Sequence, residues 1–241
     1  MIIDTHTHVG LTKDKGDGNG LTLEELKDSM KRYGIDKAIA FPFNEPGDLV
    51  EASIRILKAA DESIIPFLRF DPKAVTADQL DRILTENAFK GIKLHTRGQD
   101  FSPLDSRYFP LYKVIERHGL PIIFHTRKEA NPNSDPDMIA RIAERLPGID
   151  IVLAHFAFFS EVAFRYIEKE PNLYTETSGV STNHVIKRMA DKVGSNKIMF
   201  GSDIPYSDQE IELMKVRKSG LGKKDMDRIL YQNAMRILRM K

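Results

Sequence analysis

Near its start the chain reads Asp4-Thr5-His6-Thr7-His8, which sets two histidines two residues apart behind an apolar run. In an extended strand residues i and i+2 project to one side, so both imidazoles would point together with Asp4 below them. Two imidazoles on one rigid strand make half of a metal site. Two exposed histidines at a strand end would show the same spacing, so other residues must decide. Three more histidines close short apolar runs: His95 in "KGIKLH", His125 in "PIIFHT" and His155 in "DIVLAHF". Asp203 does the same in "KIMFGSD". The other two histidines read as structural. His118 sits in a last helical turn, where a cation suits the helix dipole, and His184 lies inside a helix.

The elements that must hold these residues recur regularly. Apolar, β-branched runs begin at Met1, Lys37, Ile64, Lys90, Pro121, Asp150, Asn172 and Lys197. Amphipathic helices fit between them, with legible ends. Thr22 with Glu25, Thr76 with Gln79 and Ser207 with Glu210 are spaced as capping boxes, and Gly34 is placed as a helix stop. Asp135 and Pro136 supply an N-cap and a first helical position. Eight strands alternating with eight helices predict a parallel sheet, and eight is the number that closes a (β/α)8 TIM barrel. An open doubly wound sheet is the competitor, but no Gly-rich phosphate turn follows the first strand. No linker or composition shift divides residues 1–241, which read as a single barrel domain.

Barrel enzymes carry their chemistry at the C-terminal ends of the strands, which is where five of the seven histidines and Asp203 fall. The pieces "DTHTH", "KGIKLH", "YKVIERHGLPIIFHT", "IVLAHF", "IMFGSDIPY" and "ILYQNAMRIL" together resemble the amidohydrolase superfamily. The resemblance is nearest to the amidohydrolase-related branch that includes aminocarboxymuconate semialdehyde decarboxylase. It implies one divalent ion, commonly zinc, on His6, His8, His125 and Asp203, with His155 as a catalytic residue beside it. Residue chemistry agrees. The chain has no cysteine, so imidazole and carboxylate ligands remain, and these suit zinc or a similar borderline ion. Such an ion lowers the pKa of its water from about 15.7 toward about 7. Asp203 could then take that proton, and His155 could polarise a carbonyl or protonate a leaving group.

Other strand-end residues are open to more than one reading. In "GIKLH" the alternation sends Lys93 and His95 into the barrel. Lys93 fits a carboxylated bridge between two metals less well than a plain electrostatic role or a pairing with Asp4. His95 is a candidate for substrate contact. Arg69, Arg97 and Arg127 follow strands closely and could clamp a substrate carboxylate, or could be solvated loop charge. Glu176 in "YTETS" is similarly open. The loop "GLTKDKGDGNG", with four glycines, is a candidate cover for the site.

Composition bounds the partners. Lys and Arg total 36 against 35 Asp and Glu, a net charge of +1, which gives no general attraction to nucleic acid or an anionic membrane. No apolar run approaches the ~20 residues of a membrane span. No basic, cleavable leader is present, so a cytoplasmic protein is expected. A homo-oligomer is left open.

The favoured function is a metal-dependent hydrolase. Metal-bound hydroxide would attack an ester, lactone or amide carbon of a small, carboxylate-bearing substrate. The alternative is a non-oxidative metal-dependent decarboxylase, although decarboxylases of this branch tend to be longer than 241 residues. A TatD-like deoxyribonuclease is less favoured, since that group uses a fourth-strand Glu where this chain has Lys93 and His95.

Overall fold

The computed structural model describes residues 1–10, 20–44, 48–128 and 132–240. Its strands are β1 (Ile3–Val9), β2 (Lys37–Pro42), β3 (Ile64–Pro66), β4 (Leu68–Arg69) and β5 (Ile92–Leu94). They continue with β6 (Ile122–Phe124), β7 (Ile151–Leu153), β8 (Leu173–Glu176) and β9 (Ile198–Met199). All pair in parallel with their sequence neighbours, β1 to β3 and β4 to β9. The third predicted strand is thus split at Phe67. Its first half pairs with β2 and its second with β5, and the Phe67 N–H still reaches the Ala40 carbonyl at 3.0 Å. The barrel closes where Thr5 donates to the Phe200 carbonyl, Asp203 to that of His6 and His8 to that of Ile204. Eight staves result, as the alternation predicts.

Period-two patterning sorts the side chains into two apolar layers. Ile3, Ile39, Phe41, Phe67, Ile123, Val152 and Met199 pack together, joined by Ala234 and Ile237 of the last described helix (Asn233–Ile237). Their alternates, among them Ala38, Leu68, Ile92, Leu94, Ile122, Phe124 and Leu153, pack with the surrounding helices. Gly91 gives the Phe67 ring its room, since a Cβ there would lie 2.2 Å from that ring.

Helix starts follow local chemistry. Thr22 with Glu25 and Thr76 with Gln79 form the predicted capping boxes of the helices Leu23–Tyr33 and Ala77–Glu86. Gly34 ends the first of these in the left-handed conformation at φ 71°, and Asp135 caps the helix Pro136–Ala140. The Ser207–Glu210 box does not form. Asp208 caps the helix Gln209–Arg217, accepting from the Glu210 and Ile211 amides, while the Ser207 hydroxyl donates to Glu212. A carboxylate one residue closer to the helix wins the cap. The predicted glycine-rich cover, residues 10–20, lies outside the described residues except for its two end glycines.

Candidate active site

The first stave places His6 and His8 side by side, with Nε2 atoms 3.3 Å apart. Asp203, held in a left-handed turn at φ 64° after β9, brings Oδ1 to 3.2 Å from His6 Nε2 and 3.1 Å from His8 Nε2. These three residues converge closely enough to hold one metal ion. Burial pushes the Asp203 carboxyl up to about 6, and both histidines fall well below their ordinary range, chiefly through burial. Neutral imidazoles are the form that binds metal. The donor set fits such an ion. Asp203 Oδ1, at the centre of the cluster, and His125 Nε2 are buried without a hydrogen-bond partner, a costly arrangement unless something else satisfies them. His8 is also braced by rings. Phe43 stacks on it at 5.0 Å, and Phe41 and Tyr206 meet it edge-on.

His125 stands outside that three-residue cluster. Its Nδ1 lies 3.0 Å from His155 Nε2, and its ring stacks on His95 at 3.8 Å between centroids. His155 in turn places Nδ1 2.9 Å from Ser178 Oγ and 3.9 Å from Asp203 Oδ2. Asp203 therefore presents one oxygen to the first-strand histidines and the other to His155. Residues His155–Phe159 form a tight turn whose φ angles run from 46° to 58°. Left-handed backbone costs an L-residue roughly 1–2 kcal/mol, and such strain gathers at functional sites. Phe156, fully buried against Phe164, anchors the turn, and the His155 N–H is fixed on Glu176.

Lys93 lies under the cluster, fully buried, with Nζ 3.1 Å from His6 Nε2 and 4.7 Å from the centre of the Phe41 ring. Burial lowers its ammonium to about 7, an effect that Asp203 opposes. It does not pair with Asp4. The first strand carries an irregularity between Asp4 and Thr7, and the Asp4 carboxylate accepts instead from Ser202, Gln209 and the His6 amide.

Above these groups opens a cavity of about 340 Å³. Arg69, Arg97 and Arg127 all line it, as do His95, His125 and His155. Arg69 is no solvated loop charge, being 1% exposed with Nη1 donating to the Pro42 carbonyl at 3.0 Å. His95 is fixed by the Gly98 amide on its Nδ1. Phe158 and Tyr206 give the cavity aromatic walls. The sequence reading singled out neither ring, nor Ser178. The "SDIPY" segment carried Tyr206 in view, and Ser178 stands two residues beyond Glu176, the spacing of a shared side.

Comparison with known proteins agrees with this architecture. The sequence profile of the amidohydrolase family matches residues 3–240, and the chain belongs to that family. 5-Carboxyvanillate decarboxylase from Sphingomonas paucimobilis superposes with a TM-score of 0.76 and 17% identity, over 100% of this chain and 99% of that one. A dihydroxybenzoic acid decarboxylase from Polaromonas sp. JS666, solved with manganese and 2-nitroresorcinol, gives 0.75 and 16%, over 99% and 96%. A Pseudomonas putida protein provisionally named 2-pyrone-4,6-dicarboxylic acid hydrolase gives 0.77 and 16%, over 99% and 97%. At such identities the likeness is one of fold. No curated protein sequence matches the chain at a significant level. The alignments run through nearly all of both decarboxylase chains. Among the described residues no helix is long and apolar enough to cross a membrane.

Proposed function

We propose that this amidohydrolase-family enzyme is a metal-dependent, non-oxidative decarboxylase of a small aromatic carboxylate. The observation that carries the reading is the 340 Å³ cavity, in which two aromatic walls and three arginines surround the His8–Asp203 corner. That volume lies at the small end of ligand pockets and suits one substituted ring. His6, His8 and Asp203 would hold the ion, with the bare His125 Nε2 a further donor. Manganese fits this nitrogen and oxygen set as well as zinc does. The chemistry such an ion supplies when bound is Lewis-acid polarisation and neutralisation of substrate charge.

The chain's own groups do the rest. An arginine pairs with a substrate carboxylate or phenolate, and Phe158 and Tyr206 offer the ring apolar surface at the cavity wall. Carbon dioxide leaves with the carboxylate carbon, and the ring carbon takes a proton in its place. Asp203 and His155, whose Nδ1 stands 3.9 Å from Asp203 Oδ2, can relay that proton between solvent and the ring carbon. Hydrolysis is the second reading. There the Asp203 carboxylate would act as the base, and one structural neighbour carries a hydrolase name.

Incubation of the manganese- or zinc-loaded enzyme with a panel of hydroxylated benzoates and lactones in H₂¹⁸O separates the two. The decarboxylase reading predicts stoichiometric CO₂ and an organic product free of ¹⁸O. Incorporation of ¹⁸O into the organic product without CO₂ would establish the hydrolase instead.

A further inference from the structure

Glu176 ends β8 fully buried, and none of the steps above uses it. Its Oε1 lies 2.9 Å from His6 Nδ1 and accepts from the His155 N–H at 2.8 Å and the Ser178 hydroxyl at 2.8 Å. Its Oε2 accepts from the Ser178 N–H at 2.6 Å. The carboxylate lies against bare backbone at Gly201, where a Cβ would stand 2.3 Å from Oε2.

The proton positions follow from donor counting. A carboxylate with two backbone donors is an acceptor, so His6 must carry its proton on Nδ1, leaving Nε2 without one toward His8, Asp203 and the Lys93 Nζ 3.1 Å away. The single Ser178 hydroxyl proton goes to Glu176, so Ser178 Oγ accepts from His155 Nδ1–H. His155 Nε2 is then bare and accepts from His125 Nδ1–H at 3.0 Å. His125 is left with a bare, buried Nε2 that has no partner. One carboxylate thereby dictates three rings, one directly and two through Ser178.

We propose that Glu176 is a positioning residue that, with Ser178 as its relay, locks the tautomers of His6, His155 and His125 so that each presents a bare Nε2. Without that carboxylate each ring could turn its proton toward the ion or the substrate. The consequence for metal binding rests on the reading of His6 as a ligand, whereas the consequence for the tautomers does not.

The test is a long-range ¹H–¹⁵N correlation spectrum of metal-free protein labelled at histidine, with rings assigned from single His→Gln variants. In the unsubstituted protein His6, His155 and His125 should each show a protonated Nδ1 and a bare Nε2. Glu176→Gln should release all three to mixed tautomers while His8, which Glu176 does not touch, stays unchanged. Ser178→Ala keeps the His6 contact and should free only His155 and His125, which preserves the test if Glu176→Gln fails to fold. Competition with a chelator for Mn²⁺ should then show Glu176→Gln binding one equivalent some 10–100-fold more weakly. Unchanged tautomers in Glu176→Gln, or a His6 shift in Ser178→Ala, would overturn the proposal. So would complete loss of the metal in Glu176→Gln from a protein that otherwise binds it, since Glu176 would then be a ligand. If the unsubstituted protein binds no Mn²⁺, the metal-site reading fails while the tautomer result still decides this one.

Discussion

His155 belongs to no stave interior and touches three different functional groups, the His125 ring, Ser178 and Asp203. In the proposed reaction that placement makes His155 a proton carrier and not a ligand. His155→Asn should retain metal and fold yet lose turnover by roughly 10²–10⁴-fold, the usual worth of a positioned acid or base. Parallel metal analysis and steady-state rates check this. A fall in metal content matching the fall in activity would move His155 among the ligands. At this scale the sequence was partly legible. Strand-end placement collected His8, His95, His125, His155 and all three arginines around one cavity, with His6 buried beside His8. It could not say that His125 faces His155 and not the first-strand pair, because a residue's side of a strand leaves its ring rotamer free. Glu176 was equally hidden. One carboxylate at a strand end reads as solvated charge until the folded chain supplies its four donors.

Two elements depart from ideal geometry in ways that can be measured. The third stave is jogged at Phe67, whose ring fills the space over Gly91. Gly91→Ala forces that ring aside, and overpacking of this kind costs about 1–3 kcal/mol. For a chain of this size the midpoint of thermal unfolding should fall by roughly 2–12 °C. An unchanged midpoint would show that Phe67 yields without strain. The turn after β7 is the opposite case, since Ala157 sits at φ 47° with its Cβ unfavourably placed. Ala157→Gly should therefore leave stability equal or raise it by about 1 kcal/mol, whereas glycine in an ordinary helical position lowers it by about that much. Urea unfolding distinguishes the two signs. The helix caps at Thr22, Thr76 and Asp135 were readable because capping is local. The left-handed turn was not, since "HFAFF" contains no glycine and long-range contacts hold it there, among them burial of Phe156 and the His155 bonds to Glu176 and Ser178.

The whole molecule converts a one-dimensional rhythm into one rim. Eight strand runs were visible because each alternates or saturates with apolar residues between capped helices. Barrel closure then follows from the hydrogen bonds of β1 to the segment after β9, which carry Asp203 to His6 and His8. Residues separated by nearly the full length of the chain thus share one corner, and the account stands on that corner holding an ion. Elemental analysis of the purified protein and of its His6→Ala/His8→Ala variant tests this most directly. The geometry predicts about one equivalent of divalent metal in the first and none in the second, with the variant still folded by circular dichroism. Undiminished metal in the double variant would contradict the account, because the ion would then sit elsewhere.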